Sequence, residues 1–152
     1  DSYGNFILDL EFKVAAESNS GVFLRSADIK NALKALEICS REETRSMVHY
    51  IADFVGRRLR EIQSLYPEWF IGIRQHGVIL GLEFSHPQGA KYVMRHLYEN
   101  GVWAIFSTLD PRVLQYKPGV LLKPEVAEEM LDRTELAIGR AWAEVKSLGR
   151  SA

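Results

Sequence analysis

The chain has 152 residues, 47% of them hydrophobic and 26% charged, a composition that fits a folded globular protein and excludes a disordered or fibrous one. This length suits one ordinary domain, so we expect a single domain over residues 1–152. Nineteen basic and twenty acidic side chains leave a net charge of −1. Because no long-range attraction then favours nucleic acid or an anionic membrane, we expect neither as a partner.

The cysteine content and the lengths of the apolar runs indicate the cellular compartment expected for the protein. The one cysteine of the sequence, Cys39, cannot form an internal disulfide. It lies in an apolar helical stretch, which predicts a buried, unreactive thiol and a reducing, cytoplasmic location. No apolar run approaches the roughly 20 residues needed to span a bilayer, and residues 1–4 do not resemble a signal peptide.

Residues 5–25 have the pattern of a β-hairpin. Apolar side chains alternate with polar ones from Phe6 to Val14, which predicts a strand with one solvent-exposed face. Turn-forming residues at 19–21 precede a second short strand at 22–25. Because an isolated hairpin is marginally stable, we expect it to extend a larger sheet, at an edge that the sequence does not define.

Two helices are predicted next. Asp28 is the expected N-cap of the first, and the apolar residues that follow it have helical spacing. After a joint at residues 40–44, the helical spacing resumes in a second, longer helix. Pro67 ends this helix, because the residue before a proline avoids the α region.

The remaining chain alternates between strands and helices. The predicted elements are a strand at 71–74 and 78–84 with a bend or bulge at 75–77, a helix at 87–100, extended segments at 102–106 and 113–122, and a final helix from Pro124. Gly101 stands where a left-handed C-cap is expected. The order is therefore ββααβαββα, an α+β fold with two layers, in which an antiparallel or mixed sheet carries helices on one face.

Three segments resemble, in matching order, parts of class III pyridoxal-phosphate-dependent aminotransferases. Residues 73–84, IRQHGVILGLEF, resemble the family's arginine-glycine, glycine-leucine strand. Residues 99–102 resemble its helix-end glycine-valine strand, and residues 113–122 its leucine-arginine, proline-proline-leucine segment. The helices after Ala32 resemble the helix that enters the small domain. The resemblance covers about residues 32–148 and implies the C-terminal small domain of such an enzyme.

The first 31 residues resemble a different family. The segments YGNFILDLEFKV and NSGVFLRS are similar to a strand pair of the concanavalin-like keto-disaccharide and glycoside hydrolase family. In an intact aminotransferase, N-terminal strands of the same chain complete the small domain, and a foreign hairpin could fill that role. We therefore interpret the chain as a chimera, either engineered or formed by a natural gene fusion.

The aminotransferase resemblance implies pyridoxal phosphate as the family cofactor, held as a Schiff base on a lysine of the large domain. No segment here resembles the surroundings of that lysine or the phosphate-binding turn. We therefore expect no cofactor on this chain, no catalytic residues and no enzyme activity of its own. Completed by a large domain, the chain would form a transaminase.

In this family, the small domain forms one wall of the substrate site, where an arginine of many members clamps a substrate carboxylate. Here that position is Gln115, and a glycine replaces the second of the paired prolines. We take Arg74, His76, Gln115 and Lys117 as the candidates for such a wall. For three of them the sequence leaves open a structural role without substrate contact. These roles are a salt bridge for Arg74, a structural hydrogen bond for His76 and a surface position for Lys117.

Other chemistry is not indicated by the sequence. The four histidines, His49, His76, His86 and His96, fall in different predicted elements without metal-ligand spacing, so we expect no metal site. The basic run at residues 57–60 is typical of the solvated face of an amphipathic helix. No acidic pair must face a common cleft, which argues against glycosidase-type hydrolysis.

The sequence leaves three functions open. The first is a non-catalytic folded domain, chimeric or engineered, built on an aminotransferase small domain. The second is a component of an aminotransferase that contributes the substrate-site wall to a separate large domain. The third is a carbohydrate-binding module inherited from the hairpin. Because a small domain without its large domain exposes apolar surface, we also expect a homodimer.

Overall fold

A computed structural model describes residues 29–149 of the chain, with side chains from residue 33 to 148. The hairpin predicted at residues 5–25 and the N-cap predicted at Asp28 lie outside the described residues. The elements in chain order are α1 (Ile29–Ser40), α2 (Glu42–Leu65), β1 (Phe70–His76), β2 (Ile79–Phe84), α3 (Gly89–Glu99), β3 (Ile105–Phe106), β4 (Val113–Tyr116) and α4 (Pro124–Gly149). The predicted α+β class is confirmed.

The four strands form one antiparallel sheet in the order β1-β2-β4-β3. The order predicted from the sequence differs at one point, because residues 71–84 form two paired strands and not one bent strand. Gly77 has a φ of +56° and lies where the chain reverses between β1 and β2. The extended segment predicted at 113–122 pairs only as far as Tyr116, and Pro118, which has no N–H to donate, follows shortly after.

Helices α2, α3 and α4 cover one face of the sheet, as predicted for a two-layer fold. Alternate residues of β2 are buried on that face, where β4 adds two more inward residues. The α2 residues that meet them recur every three or four positions. The largest fully buried side chains of this core are Ile51, Val55, Leu59, Ile62, Trp69, Phe70, Leu82, Phe84, Leu97, Leu114, Leu131 and Ile138.

Helix α1 lies outside this core. Leu33 and Leu36 are 60% and 64% exposed, and the prediction of a buried Cys39 is wrong, since this cysteine is exposed. The apolar spacing of α1 is amphipathic, but its packing against the described elements is chiefly against α2. The joint predicted at residues 40–44 is confirmed at Arg41, whose backbone is extended between the two helices.

The end of α3 has the glycine cap that the sequence predicts. Gly101 has a φ of +76°. Its N–H donates to the carbonyl of Tyr98 at 3.0 Å, and the N–H of Val102 donates to the carbonyl of Leu97 at 2.9 Å. These two bonds make a Schellman motif, which satisfies carbonyls that the helix end would leave unpaired. The cap turns the chain towards β3.

One buried hydrogen-bond chain ties the sheet to α4. The Tyr116 hydroxyl lies 2.7 Å from Thr134 Oγ1, which donates to the carbonyl of Met130 at 2.7 Å. Thr134 is completely buried, and burial raises the pKa of the Tyr116 phenol well above its usual value. The phenol therefore remains a neutral donor.

We predict an asymmetric response when the two hydroxyls are removed one at a time. Tyr116→Phe leaves Thr134 bonded to Met130 and should lower the free energy of unfolding by about 1 kcal/mol. Thr134→Val strands the buried Tyr116 hydroxyl and should cost more, about 2 to 3 kcal/mol. Urea unfolding of both variants and of the double variant measures this difference. If the two single variants lose the same free energy of unfolding, Thr134 is not the hydrogen-bond partner that the buried Tyr116 hydroxyl requires.

Candidate functional site

The helices leave the opposite face of the sheet open among the described elements. Strand registers place Arg74, Gly81 and Gln115 in one row across β1, β2 and β4. The neighbouring row contains Glu83 and Val113, which face the same way because side chains two residues apart share a face. Since no described helix lies on it, we call this surface the open face.

The candidates predicted from the sequence lie on or beside the open face. Arg74 and Gln115 are brought together, flanking Gly81 although they are far apart in the chain. His76 lies on the same face, at the hairpin end of β1 opposite Ile79, and is exposed. Lys117 is exposed and is the first residue after β4. The structure therefore groups Arg74 with Gln115, whereas His76 and Lys117 lie towards one end.

A charged cluster occupies the centre of the open face. Glu83 lies between two guanidinium groups, 3.7 Å from Arg74 and 3.6 Å from Arg112. Arg112 also makes two side-chain hydrogen bonds to Asp110, at 3.1 and 2.9 Å. These bonds lower the pKa of the Asp110 carboxyl and raise that of Arg112. The salt-bridge alternative for Arg74 thus has a partner in Glu83, at a distance too long for a hydrogen bond.

Glu83, Asp110 and Arg112 were not among the residues selected from the sequence. Glu83 alternates with buried apolar residues in β2, a pattern that places it on the exposed face once the strand is recognised. Asp110 and Arg112 lie two residues apart before β4, in a loop where neither has a periodic pattern. The backbone N–H of Arg112 donates to Asp110 at 3.0 Å, an Asx-turn contact that fixes the loop.

Apolar side chains flank the charged cluster. Ile79 is 58% exposed, and Ile71 and Ile105 are each nearly half exposed. Ile79 lies on β2 and Ile105 on β3, both on the face of the row that contains Arg74 and Gln115, whereas Ile71 lies at an irregularity near the start of β1. The open face therefore combines an apolar surround with a charged centre, an arrangement common where protein surfaces meet or enclose a small molecule.

The described residues of the open face do not fit pyridoxal phosphate. Lys117 is exposed and not enclosed by the sheet. The two described glycines with positive φ, Gly77 and Gly101, form a hairpin turn and a helix C-cap. Whether this chain lacks its own cofactor stays a prediction.

The other histidines lie away from the open face. His49 is exposed on α2, and His86 Nδ1 accepts a hydrogen bond from the Gln88 N–H at 3.1 Å near the start of α3. Between residues 33 and 148, no three His, Cys, Asp or Glu side chains are grouped so that they could hold a metal ion. The absence of a metal site from the whole chain stays a prediction.

A polar contact between α3 and α4 involves the fourth histidine. The two ring nitrogens of His96 lie 3.0 Å from Glu99 and 2.9 Å from Glu144, and Glu144 also accepts a hydrogen bond from Arg95. The bond from Arg95, with a smaller contribution from His96, lowers the pKa of the Glu144 carboxyl.

This shift predicts a pH-dependent contribution to stability. Because the pKa of Glu144 is lower in the folded than in the unfolded chain, its contribution is present above the unfolded pKa of about 4.3. The contribution disappears as the pH falls through the lower, folded pKa. Urea midpoints measured from pH 7 to pH 3 should therefore fall less steeply for Glu144→Gln than for the unchanged chain. Identical acid slopes would contradict the prediction.

Comparisons with known proteins connect this fold to aminotransferases. Over 92 residues the chain is 34% identical to the mitochondrial acetylornithine aminotransferase of Saccharomyces cerevisiae, an alignment that covers 60% of this chain and 21% of that protein. Part of the chain is therefore homologous to class III aminotransferases. No protein-family profile matches the chain.

Solved structures show the same fold within larger proteins. The N-acetylornithine aminotransferase from Stenotrophomonas maltophilia K279a superposes with a TM-score of 0.68 and 23% identity, over 74% of this chain and 31% of that one. The ornithine aminotransferase from Toxoplasma gondii gives a TM-score of 0.67 and 19% identity, over 76% of this chain and 27% of that one. The chain thus spans about a fifth of its curated relative and less than a third of these structures.

Two further observations bear on the sequence predictions. No helix in the described part of the chain is long and apolar enough to cross a bilayer. These relatives do not support the resemblance of residues 1–31 to the concanavalin-like family or a chimeric origin.

Proposed function

We propose that this chain is the small-domain part of a pyridoxal-phosphate-dependent aminotransferase and that its open face supplies one wall of the substrate site. The observation that carries this proposal is the 34% identity over 92 residues with an acetylornithine aminotransferase. Similarity of fold to two further aminotransferases supports it. In each case the relative is much longer than this chain, which leaves the cofactor site to a large domain.

The composition of the open face is consistent with this function. A wall against a large domain needs apolar surface that becomes buried, and the exposed residues Ile79 and Ile105 provide it. A wall against a polar substrate needs side chains with hydrogen-bond donors that the fold itself does not use. Arg74 and Gln115 are the best placed for that role, since they share one row of the open face, which continues to Ile105 on β3.

The proposed division of labour leaves the amino-group chemistry to the partner. Pyridoxal phosphate, when bound to the large domain, would supply the electron sink for amino-group transfer. The residues of this chain would bind and orient the substrate and help to exclude water. The chain alone is then not an enzyme, and the aminotransferase large domain is its expected partner.

Mixing the chain with pyridoxal phosphate tests this division. We expect no stable internal-aldimine absorption band, no transaminase turnover and no lysine labelled specifically after borohydride reduction. Lys117, the lysine beside the open face, should be labelled no more than the exposed Lys34 on α1. Specific labelling of one lysine together with turnover would show that the chain has a catalytic centre of its own.

The other predicted properties keep the status of predictions. The carbohydrate-binding module and the chimera depend on residues 1–31, of which 1–28 lie outside the described part of the chain. Titration calorimetry with disaccharides tests the first of these, and absence of heat would remove it. Homodimer formation, which the exposed apolar residues favour, is tested by light scattering on a size-exclusion peak. A cytoplasmic location likewise stays a prediction.

A further inference from the structure

Two large aromatic side chains project at the edge of the domain where α3 ends. Trp103, which lies between α3 and β3, is 76% exposed, and Tyr98, in the last turn of α3, is 67% exposed. Their rings lie edge to face, with centroids 5.9 Å apart and planes inclined at 71°. Tryptophan and tyrosine are among the residues that most often anchor protein interfaces, so two adjacent exposed rings favour a surface that a partner covers.

A groove lies directly beside Trp103. It has a volume of about 370 Å³ and is bounded by Trp103 on one side and by the first turns of α4 on the other. The exposed Val126 and the half-buried Met130 form its apolar lining on α4. Binding sites for small molecules begin at roughly 300 Å³, so this groove has room for one large aromatic side chain.

An ion pair holds the polar rim of the groove in place. Arg133 donates one hydrogen bond to Glu129, four residues earlier on α4, and another to the carbonyl of Asn100 at 3.0 Å. Its guanidinium lies over Gly101, since a Cβ added there would be 2.7 Å from Arg133 Nη1. The residues that line the groove therefore carry one charge of each sign. A patch with balanced charge does not repel a second copy of itself.

We propose that a second copy of this chain binds at this groove and that Trp103 of each copy inserts into the groove of the other. A twofold interface joins the same patch of both copies, so the patch has to be complementary to itself. Here an exposed aromatic ring and a groove that can receive it lie side by side. The inference does not depend on the proposed function, because Arg74 and Gln115 of the open face do not line the groove.

The exposed area of the patch sets the strength of binding that we expect. An aromatic side chain buries roughly 150 to 250 Å² when it is fully covered, so the two exposed rings and Val126 offer roughly 400 Å² per copy. The total of roughly 800 Å², to which the rim of the groove adds, lies below the roughly 1,200 Å² of the smaller stable interfaces. We therefore expect a weak, reversible dimer with a dissociation constant between about 10 μM and about 1 mM.

Sedimentation equilibrium of the chain from about 10 μM to about 1 mM measures this association. Trp103→Ala should raise the dissociation constant about tenfold or more, because it removes the inserted ring. Leu148→Ala is the matched control, since Leu148 is also an exposed apolar residue of α4 but lies about 33 Å along the helix from Val126. A monomer throughout this range, or an equal effect of the two substitutions, would overturn the proposal.

Ile79→Ala distinguishes this interface from pairing through the open face, where Ile79 is exposed. We expect this substitution to leave self-association unchanged. A dimer that Ile79→Ala weakens more than Trp103→Ala does would assign the interface to the open face and contradict the proposal. Amide spectra of each variant verify that it is folded.

Two charge substitutions test the twofold arrangement itself. Glu129→Arg gives the groove two positive charges and Arg133→Glu gives it two negative charges, so each variant alone should associate more weakly than the unchanged chain. Mixing the two variants brings opposite charges together and should restore association. Because a folding defect would persist in the mixture, restored association identifies this patch as the interface. If the mixture associates no better than the separate variants, the two grooves do not face each other and the proposal fails.

Discussion

Replacing Trp69 by alanine is expected to lower the free energy of unfolding by about 3 to 5 kcal/mol, the largest loss we predict for a single substitution. Trp69 is completely buried where β2, the start of α3 and α4 meet. Its ring stacks on Trp142 with centroids 5.4 Å apart and packs against Phe84 at 5.2 Å. Alanine would remove these contacts and leave a cavity that the surrounding helices cannot fill without moving.

Trp69→Phe is the matched control for this substitution. The indole Nε1 is buried and has no hydrogen-bond partner among the described residues, so phenylalanine removes an unsatisfied donor while it retains most of the aromatic contact. We expect phenylalanine to cost less than half as much as alanine. Guanidinium unfolding of both variants provides the comparison, and a phenylalanine variant as unstable as the alanine variant would mean that the indole N–H has a partner.

Gly89→Ala should destabilise the chain by about 1 to 3 kcal/mol, although alanine is the better helix former. Gly89 is the first residue of α3 and is packed closely against β2. A Cβ added there would lie 2.5 Å from the Cβ of Phe84 and 3.4 Å from the ring of Trp69. Because the atom in the way is a β-carbon attached to the sheet backbone, α3 has to move away from β2.

Gly119→Ala is the control for that prediction. Nothing lies within 4 Å of a Cβ added at Gly119, and its φ is outside the left-handed range. The substitution should therefore change stability little, or raise it by restricting the unfolded chain. Thermal unfolding compares Gly89→Ala, in which the added Cβ meets Phe84, with Gly119→Ala, in which it meets no atom. Equal unfolding temperatures for the two variants would contradict the close packing of α3 on β2.

Much of the helix layer was predictable because its residues follow simple spacing rules. Apolar residues of α2 recur every three or four positions, and Gly101 forms the cap that its place after α3 predicts. Among the predictions for the helices, the burial of Cys39 was wrong. Its helix has apolar spacing, yet spacing alone does not specify what covers a helix, and among the described elements α1 packs chiefly against α2.

The sheet was harder to predict than the helices. The reversal between β1 and β2 requires only Gly77 and Val78, and a valine in a two-residue hairpin loop is not a typical turn residue. The apolar run that begins at Val78 therefore resembles the continuation of one strand. Pairing of β1 with β2 became visible only from their hydrogen-bond register.

The candidate site depends on that register even more strongly. Arg74 and Gln115 were each selected from the sequence, but their common row requires β2 to lie between their strands with Gly81 in the middle. Pairing between strands so far apart in the chain produces no periodic pattern in the sequence of either strand. Asp110 and Arg112 could not be identified from the sequence for a related reason. Arg112 contacts both Asp110 and Glu83, and Glu83 lies in another element.

The most direct test of the central claim is a segment exchange in the acetylornithine aminotransferase of Saccharomyces cerevisiae. The 92 aligned residues would be replaced by those of this chain, and the same enzyme without the segment would serve as the baseline. If this chain supplies a wall of the substrate site, the exchanged enzyme should bind pyridoxal phosphate and show cofactor-dependent turnover above the baseline. A folded, cofactor-bound enzyme with turnover no higher than the baseline would contradict the claim.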